Sequence, residues 1–350
     1  MTTSINLFLS ENHHASPESL TDHANLRFRS LNHKSLECLR RDELVSFFDE
    51  TTSEYVGFVD RHLLADATQL NQLHGLELNA DQAGICLLPF GDSKSLIQSY
   101  ECLPPLAASL AMNPFQYAVV LIPKSAFSGL QELPDSGELL WQTLILLAQA
   151  GTKSRLIDSI PLTRASKSKQ QFPTLAPQHP GPDRDWLLHL LRAYQPAQDL
   201  PSISSPPDAT ALKAGLFCIH DYLEESHQFS QSVEHQGLHH AGDYWHHIMH
   251  RREPDYSNAK YWSRAVGYHP LHDILPAAAQ PLFDLSQSQS VLNWKNRLLQ
   301  NNRWSLNVFV DCCAECESSQ DQELNELARK IQWMEMQLLL QKTSLDAATG

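Results

Sequence analysis

Histidine is the residue type whose distribution in this chain points to chemistry. Ten of the 18 histidines lie between His220 and His272, within a chain of 350 residues. Histidine is the commonest metal ligand and the side chain best suited to moving protons near neutral pH. This local enrichment predicts a functional site in the C-terminal half of the chain.

Five residues of this region have the spacing of a metal site. His220, Glu224 and His227 are separated by four and three residues, which places them along one face of a helix. His246 and His250 are four residues apart, so both could reach one ion from a second helix. We therefore predict a divalent metal, such as Zn, Fe or Mn, between two antiparallel helices. The alternative is that these histidines lie at helix edges and only form hydrogen bonds.

The same residues also offer catalysis without an ion. His246, His250 and Glu224 are the candidate catalytic residues, because imidazoles that titrate near pH 7 can serve as general acid and base. A bridged di-metal centre would need a second Glu-x-x-His pair. The other such pair begins at Glu11, far away in the sequence. The spacing thus favours at most one ion.

A basic run follows the second histidine pair. Residues 250–262 read HRREPDYSNAKYW, and this part of the chain is locally positive. Arginine forks at the end of one helix and free amides at the start of the next can bind a carboxylate or phosphate. The candidate substrate-binding residues are Arg251, Arg252, Asn258, Lys260 and Tyr261. The alternative is that the two arginines pair with Glu253, Asp255 or Asp243 and only stabilise the helix corner.

The segment from Asp243 to Pro270, centred on HRREPDYSNAKYW, resembles a core found in uncharacterised bacterial and fungal proteins. The resemblance covers about residues 215–275 and implies no known activity. It supports the location of a site in this segment. The N-terminal half resembles no family that we can name.

Composition limits the classes of partner. The chain has 40 acidic and 26 basic residues, a formal net charge of −14, so we expect neither nucleic acid nor an anionic membrane as a general partner. No apolar run approaches the roughly 20 residues of a membrane span, and no basic leader precedes one. Seven cysteines, two of them adjacent, are poor material for disulfides. We expect a cytoplasmic protein.

Apolar spacing and proline content predict the elements that must position these residues. The fold class is mainly α, with a helix-rich N-terminal domain that has two or three short strands and a C-terminal helical bundle. Tyr55 to Leu73 has the spacing of an amphipathic helix. The predicted segments are a loose arm at 1–33, the N-terminal domain at 34–164, a Pro-rich linker with one short helix at 165–208, and the His-rich domain at 209–345.

Two hypotheses of function follow. The first is an enzyme that acts on a small anionic substrate by metal-assisted or histidine acid–base chemistry. The alternative is a non-catalytic module that binds an anionic ligand or a protein, and a purely structural histidine-rich corner remains a third reading. A short heptad pattern from Leu324 to Leu338 could form a dimer, although packing within its own chain is favoured.

Overall fold

The structure is a computed structural model in which the chain forms two compact units, Met1–Gln170 and Gln171–Gly350. We call them the N-terminal unit and the C-terminal unit. The ranges that the structure describes are 3–10, 20–31, 35–60, 63–64, 66–78, 84–130, 132–134, 138–165, 172–177 and 184–349. Within these ranges, no helix is both long enough and apolar enough to cross a bilayer.

A six-stranded sheet is the centre of the N-terminal unit, with strand order β2-β1-β3-β5-β4-β6. The β1 strand pairs in parallel with β2 and β3, whereas β5 pairs antiparallel with β3 and β4, so the sheet is mixed. Its strands are β1 (Ile5–Leu9), β2 (Leu26–Ser30), β3 (Tyr55–Val59), β4 (Ile85–Pro89), β5 (Ala118–Pro123) and β6 (Ser154–Leu156).

Three of the four inner strands, β3, β4 and β5, are buried at every position, which fits their continuous apolar sequence. The chain segments between the strands form five α-helices and several 3-10 helices. These α-helices are α1 (Arg41–Glu50), α2 (Lys94–Glu101), α3 (Pro105–Ala111), α4 (Lys124–Phe127) and α5 (Leu139–Gln149). The 3-10 helices of this unit are Leu36–Cys38, Ala67–Gly75, Gly91–Ser93 and Pro114–Gln116.

Two sequence predictions for this unit are wrong. Strands β1 and β2 lie inside the segment 1–33 predicted as a loose arm, of which residues 1–2, 11–19 and 32–33 are outside the described ranges. The helix predicted from Tyr55 to Leu73 is strand β3 followed by a 3-10 helix, and residues 61–62 between them are not described. An apolar run buried on both faces of a sheet has no period of two, so helical spacing arises in it by chance.

The C-terminal unit is helical throughout its described elements, so the protein is mainly helical as expected. Its short 3-10 helices are Pro196–Gln198 and Gln300–Asn302. Its α-helices are α6 (Asp185–Ala193), α7 (Pro206–Ile219), α8 (Leu223–Gln231), α9 (Ala241–Arg252), α10 (Tyr256–Val266), α11 (Leu271–Asp284), α12 (Gln289–Leu298), α13 (Leu306–Ser318) and α14 (Gln322–Thr349).

Helix α9 lies at the centre of this unit, because all of its 12 residues are buried and it contacts α7, α8 and α10. A helix that carries histidines and arginines on a fully buried surface must pair or neutralise each of them. The polar groups that surround α9 therefore decide what its side chains can do.

We predict that Gly57→Ala destabilises the N-terminal unit. A Cβ atom at Gly57 would lie 2.4 Å from Leu7 Cδ1 and 2.6 Å from Leu121 Cδ2 in the centre of the sheet. Overpacking of this kind costs about 1–3 kcal/mol. Urea unfolding followed by circular dichroism measures the loss.

The matched control is Gly75→Ala, where a Cβ would meet nothing within 4 Å. This variant should be as stable as the parent or slightly more so, because alanine restricts the unfolded chain. Equal midpoints for Gly57→Ala and the parent protein would contradict the packing seen around β3.

Candidate metal centre

Three histidines from two adjacent helices converge in the C-terminal unit, and we call them the histidine cluster. Helix α8 contributes His227, and one turn of α9 contributes His246 and His250. One ring nitrogen of each lies within 4.8 Å of the other two. His246 and His250 are buried and His227 is half-buried, so the cluster lies at the edge of the helical core.

Gly242 allows helices α8 and α9 to pack closely against each other. A Cβ at Gly242, in the first turn of α9, would lie 2.7 Å from Val233 Cγ2 and 3.3 Å from the carbonyl oxygen of Ser230 at the end of α8. The connection between the helices is held by Asp243, whose buried carboxylate accepts hydrogen bonds from the backbone N–H of His235 at 3.1 and 3.3 Å. The spacing between His227 and the α9 histidines is therefore set by close backbone packing.

His246 is the most unusual member of the cluster. It is 1% exposed, and neither of its ring nitrogens has a hydrogen-bond partner among the described residues. Its ring stacks on Trp262 of α10 at 3.8 Å between centroids. Burial, together with the charges of His250 and His227, lowers the pKa of His246 to about 3. The imidazole is thus neutral at pH 7, with a lone pair that no protein donor occupies.

His250 is held by polar neighbours. Its Nδ1 lies 3.1 Å from Glu253 Oε2, and the Asn258 side-chain nitrogen lies 3.1 Å from its Nε2. Burial lowers the pKa of His250, although Glu253 acts in the opposite direction. A neutral ring that donates Nδ1–H to a carboxylate has its Nε2 lone pair available, which is the usual arrangement of a metal-binding histidine.

Two of the predicted ligands do not join the cluster. Helix α7 ends at Ile219 and α8 begins at Leu223, and Asp221 between them has a φ of 67°. His220 and His227 are consequently on different helices, so the predicted single face does not exist. Glu224 is exposed and accepts a hydrogen bond from Gln228 at 2.9 Å, which places it outside the set of converging ligands.

Arg251 is not an anion-binding residue in this structure. Its side chain is fully buried and forms an ion pair with Glu335 of α14 at 2.5 Å, and both side chains are 0% exposed. Nε donates to Gln332 at 3.3 Å, and Tyr244 donates to the other Glu335 oxygen at 2.9 Å. The guanidinium also lies over the Phe309 ring at 4.6 Å. A ligand would have to replace this whole buried network.

The side chain of Arg252 is likewise bonded to other groups of the protein. It forms an ion pair with Asp221 and donates to the carbonyl oxygens of Cys218 and, at 3.2 Å, Thr174. Its side chain is 0% exposed. The structure therefore places both predicted substrate-binding arginines in ion pairs inside the protein rather than at a free anion site. Both arginines pair with acids of the protein, as the alternative prediction expected. Their partners are Glu335 and Asp221, however, and not Glu253, Asp255 or Asp243.

The other predicted anion-binding residues are dispersed. Lys260 pairs with Asp311 at 2.5 Å, and Tyr261 is 59% exposed. Asn258 alone lies at the cluster, against the ring of His250. Glu335 was not among the residues predicted from the sequence. The only feature that marks it there is its position as a charged residue inside the apolar repeat of the last helix.

Other buried histidines share the neutral state of His246. His269 is 0% exposed, its Nδ1 accepts a hydrogen bond from the Leu271 N–H at 3.2 Å, and its Nε2 has no partner among the described residues. Burial, with the charges of His272 and His239, lowers the pKa of His269 to about 3. The helical core thus excludes the positive form of this side chain.

Comparison with known proteins adds no family to this geometry. No model of a known protein family matches the chain, and no curated protein sequence matches it significantly. The chemistry of the site must therefore be inferred from its own residues. These are three neighbouring imidazoles with a carboxylate and an amide beside them.

We predict that Arg251→Met destabilises the protein by about 3–5 kcal/mol, because the substitution leaves Glu335 buried without its partner. Adding Glu335→Gln should recover most of the loss, since the amide is neutral and its oxygen still accepts from Tyr244. Urea unfolding of the single and double variants measures both effects. If the double variant is no more stable than Arg251→Met, the ion pair is not the source of the loss.

We also predict a pH dependence from His269. The unfolded side chain protonates near pH 6.5, whereas the folded one does so at about 3, so the unfolded state binds more protons between these values. Stability from this residue is complete above pH 6.5 and falls by about 1.4 kcal/mol per pH unit below it. The measurement is urea unfolding at pH 7, 6 and 5 in the presence of a chelator.

The variant for this test is His269→Gln, which should show a shallower decline in stability between pH 7 and 5 than the parent protein. His189, which is exposed on α6, gives the matched control His189→Gln, whose decline should equal that of the parent. An unchanged slope in His269→Gln would show that this histidine is charged or accessible in the folded state.

Proposed function

We propose that the C-terminal unit binds one divalent transition-metal ion through the histidine cluster and uses it for metal-assisted catalysis. The observation that carries the proposal is His246, a buried imidazole with two unpartnered nitrogens beside two other histidines. A buried polar group without a partner costs about 1–3 kcal/mol. A bound ion removes this cost by accepting the lone pair.

The ligand chemistry favours zinc among the candidate ions, with iron and manganese as the alternatives. Imidazole nitrogen suits borderline-soft ions, and bonds to zinc are about 2.0–2.1 Å long. Tetrahedral coordination at that length places ligand atoms about 3.4 Å apart. The 4.8 Å limit of the cluster requires only a small closing movement of the side chains. An ion on Nε2 of His250 would take the place of the Asn258 contact.

Glu253 supports this role from outside the ligand set. A carboxylate that accepts the Nδ1–H of a ligating histidine fixes its tautomer and increases its basicity. The Nδ1–Oε2 distance of 3.1 Å between His250 and Glu253 meets that requirement. Neutral ligands also avoid the proton release that weakens metal binding in acidic solution.

Three protein ligands distinguish a catalytic site from a structural one. Structural zinc is closed by four protein ligands, whereas catalytic zinc keeps a position for water or substrate and lowers the pKa of bound water to about 7. The described residues supply three such ligands. Acid–base catalysis by the histidines alone is less well supported, because a pKa of about 3 leaves His246 without a proton to donate at neutral pH.

We predict that tag-free protein binds one equivalent of Zn²⁺, and that His246→Ala, His250→Ala and His227→Ala each weaken binding at least 100-fold. Competition with a chromogenic chelator measures the affinity. The matched control is His220→Ala, which removes a sequence-predicted ligand outside the cluster. Equal affinities in His220→Ala and His246→Ala, or no saturable binding, would contradict the site.

Catalysis has a separate test. The zinc-loaded protein should hydrolyse an activated ester such as p-nitrophenyl acetate, with a rate that rises with an apparent pKa near 7 and is lost on chelation. His246→Ala should abolish this rate, whereas His220→Ala should retain it. Stoichiometric zinc without such hydrolysis would favour the non-catalytic binding module over the enzyme.

A further inference from the structure

A cavity of about 440 Å³ lies in the C-terminal unit between the α10–α11 region and the start of α13. None of the histidine cluster residues lines it. Its volume is within the range of small-molecule sites, about 300–1,000 Å³. The lining is mainly polar and includes His272, Arg297, Arg303, Trp304, Leu306 and Asn307.

Two arginines give the cavity a positive charge. Arg297 lies over the Trp294 ring at 3.7 Å from its centroid, and Arg303 lies over the Tyr268 ring at 5.6 Å. Among the described residues, neither guanidinium has a carboxylate partner within ion-pair distance. Aromatic stacking orients a guanidinium while its N–H groups stay available. These two arginines therefore differ from Arg251 and Arg252, which are paired within the protein.

The first turn of α13 forms part of the cavity wall. Ser305 caps the helix by accepting from the Val308 N–H at 3.4 Å. The N–H groups of Leu306 and Asn307 have no hydrogen-bond acceptor among the described residues. Unpartnered amides at the start of a 13-residue helix form an anion site, reinforced by the helix dipole.

Two buried side chains of the wall also carry unpartnered ring nitrogens. His272 is 6% exposed and Trp304 is 2% exposed, and neither His272 Nε2 nor Trp304 Nε1 has a partner among the described residues. His272 Nδ1 accepts from the His269 N–H at 3.5 Å, so its proton is on Nε2. Both nitrogens are donors, and they lie just behind the cavity surface because neither atom is itself exposed. Buried donors left without acceptors are rare in folded proteins and need an explanation.

From this convergence of donors we infer that the cavity binds a phosphate monoester of a small molecule. The two guanidiniums and the two backbone amides alone offer more N–H groups than the roughly four lone-pair sites of a carboxylate can accept. A phosphate monoester offers three strong acceptor oxygens and a charge near −2, which matches the two arginines. The volume beyond the phosphate accommodates its organic group. This site is independent of the proposed metal.

The experiment is a calorimetric titration with β-glycerophosphate, with inorganic phosphate in parallel, at constant ionic strength in the presence of a metal chelator. We expect saturable 1:1 binding of β-glycerophosphate. Arg297→Gln and Arg303→Gln should each weaken it at least tenfold, and both residues are exposed, so the fold should tolerate the changes. The matched control is Arg264→Gln, an exposed arginine of α10 outside the cavity, which should leave the affinity unchanged.

Asn307→Asp separates binding from folding. A carboxylate in the first turn of α13 favours the helix through its dipole but repels a phosphate, so this variant should be at least as stable as the parent and should not bind. Repeating the titration with His246→Ala keeps the result distinct from the metal site, because binding should persist there. Absence of saturable binding, equal loss in Arg264→Gln, or full affinity in Asn307→Asp would overturn the inference.

Discussion

The buried ion pair between Arg251 and Glu335 is the constraint on which the histidine cluster depends. Both side chains are 0% exposed, so neither charge has water to stabilise it and each requires the other. Because Arg251 directly follows His250, the pair fixes the rotation of α9 about its axis, with Tyr244 and Arg251 joined to Glu335 of α14. The face with His246 and His250 is then left to meet His227 on α8. We infer that the pair selects this one rotation rather than adding much net stability.

The same constraint changes the chemistry that the basic run can perform. An arginine pair at a helix corner suggests an anion site when only the sequence is known, but both guanidiniums are used inside the protein. What remains at the cluster is a set of imidazoles of which His246 is held neutral by burial. Neutral nitrogen ligands favour a cation, whereas anion binding needs charged donors. The charge state of the cluster therefore supports the proposed metal centre.

The sequence predicted local features of the site better than long-range ones. His246 and His250 follow from their spacing alone, because one helix carries both. His220 was wrongly grouped with them, since a single residue with positive φ at Asp221 separates α7 from α8. The partner of Arg251 is 84 residues away in the sequence, and no local pattern identifies it. The sheet is obscured for the same reason: β1 pairs with β3 across about 50 residues, and strand pairing leaves no periodic signal in fully buried strands.

Charge balance makes the proposed metal site compatible with the two arginines that follow His250. A dication a few ångströms from an uncompensated guanidinium would be strongly repelled in a medium of low dielectric constant. Here Glu335 compensates Arg251 and Asp221 compensates Arg252, so the residues that follow His250 add little net positive charge to the cluster. Arg297 and Arg303, which have no ion-pair partner in the part of the chain that the structure describes, lie instead at the cavity beside α13, where exposure to water lowers the cost of their charge. The two proposed sites thus use different residues, and the charge of each set of side chains suits the ligand proposed for it.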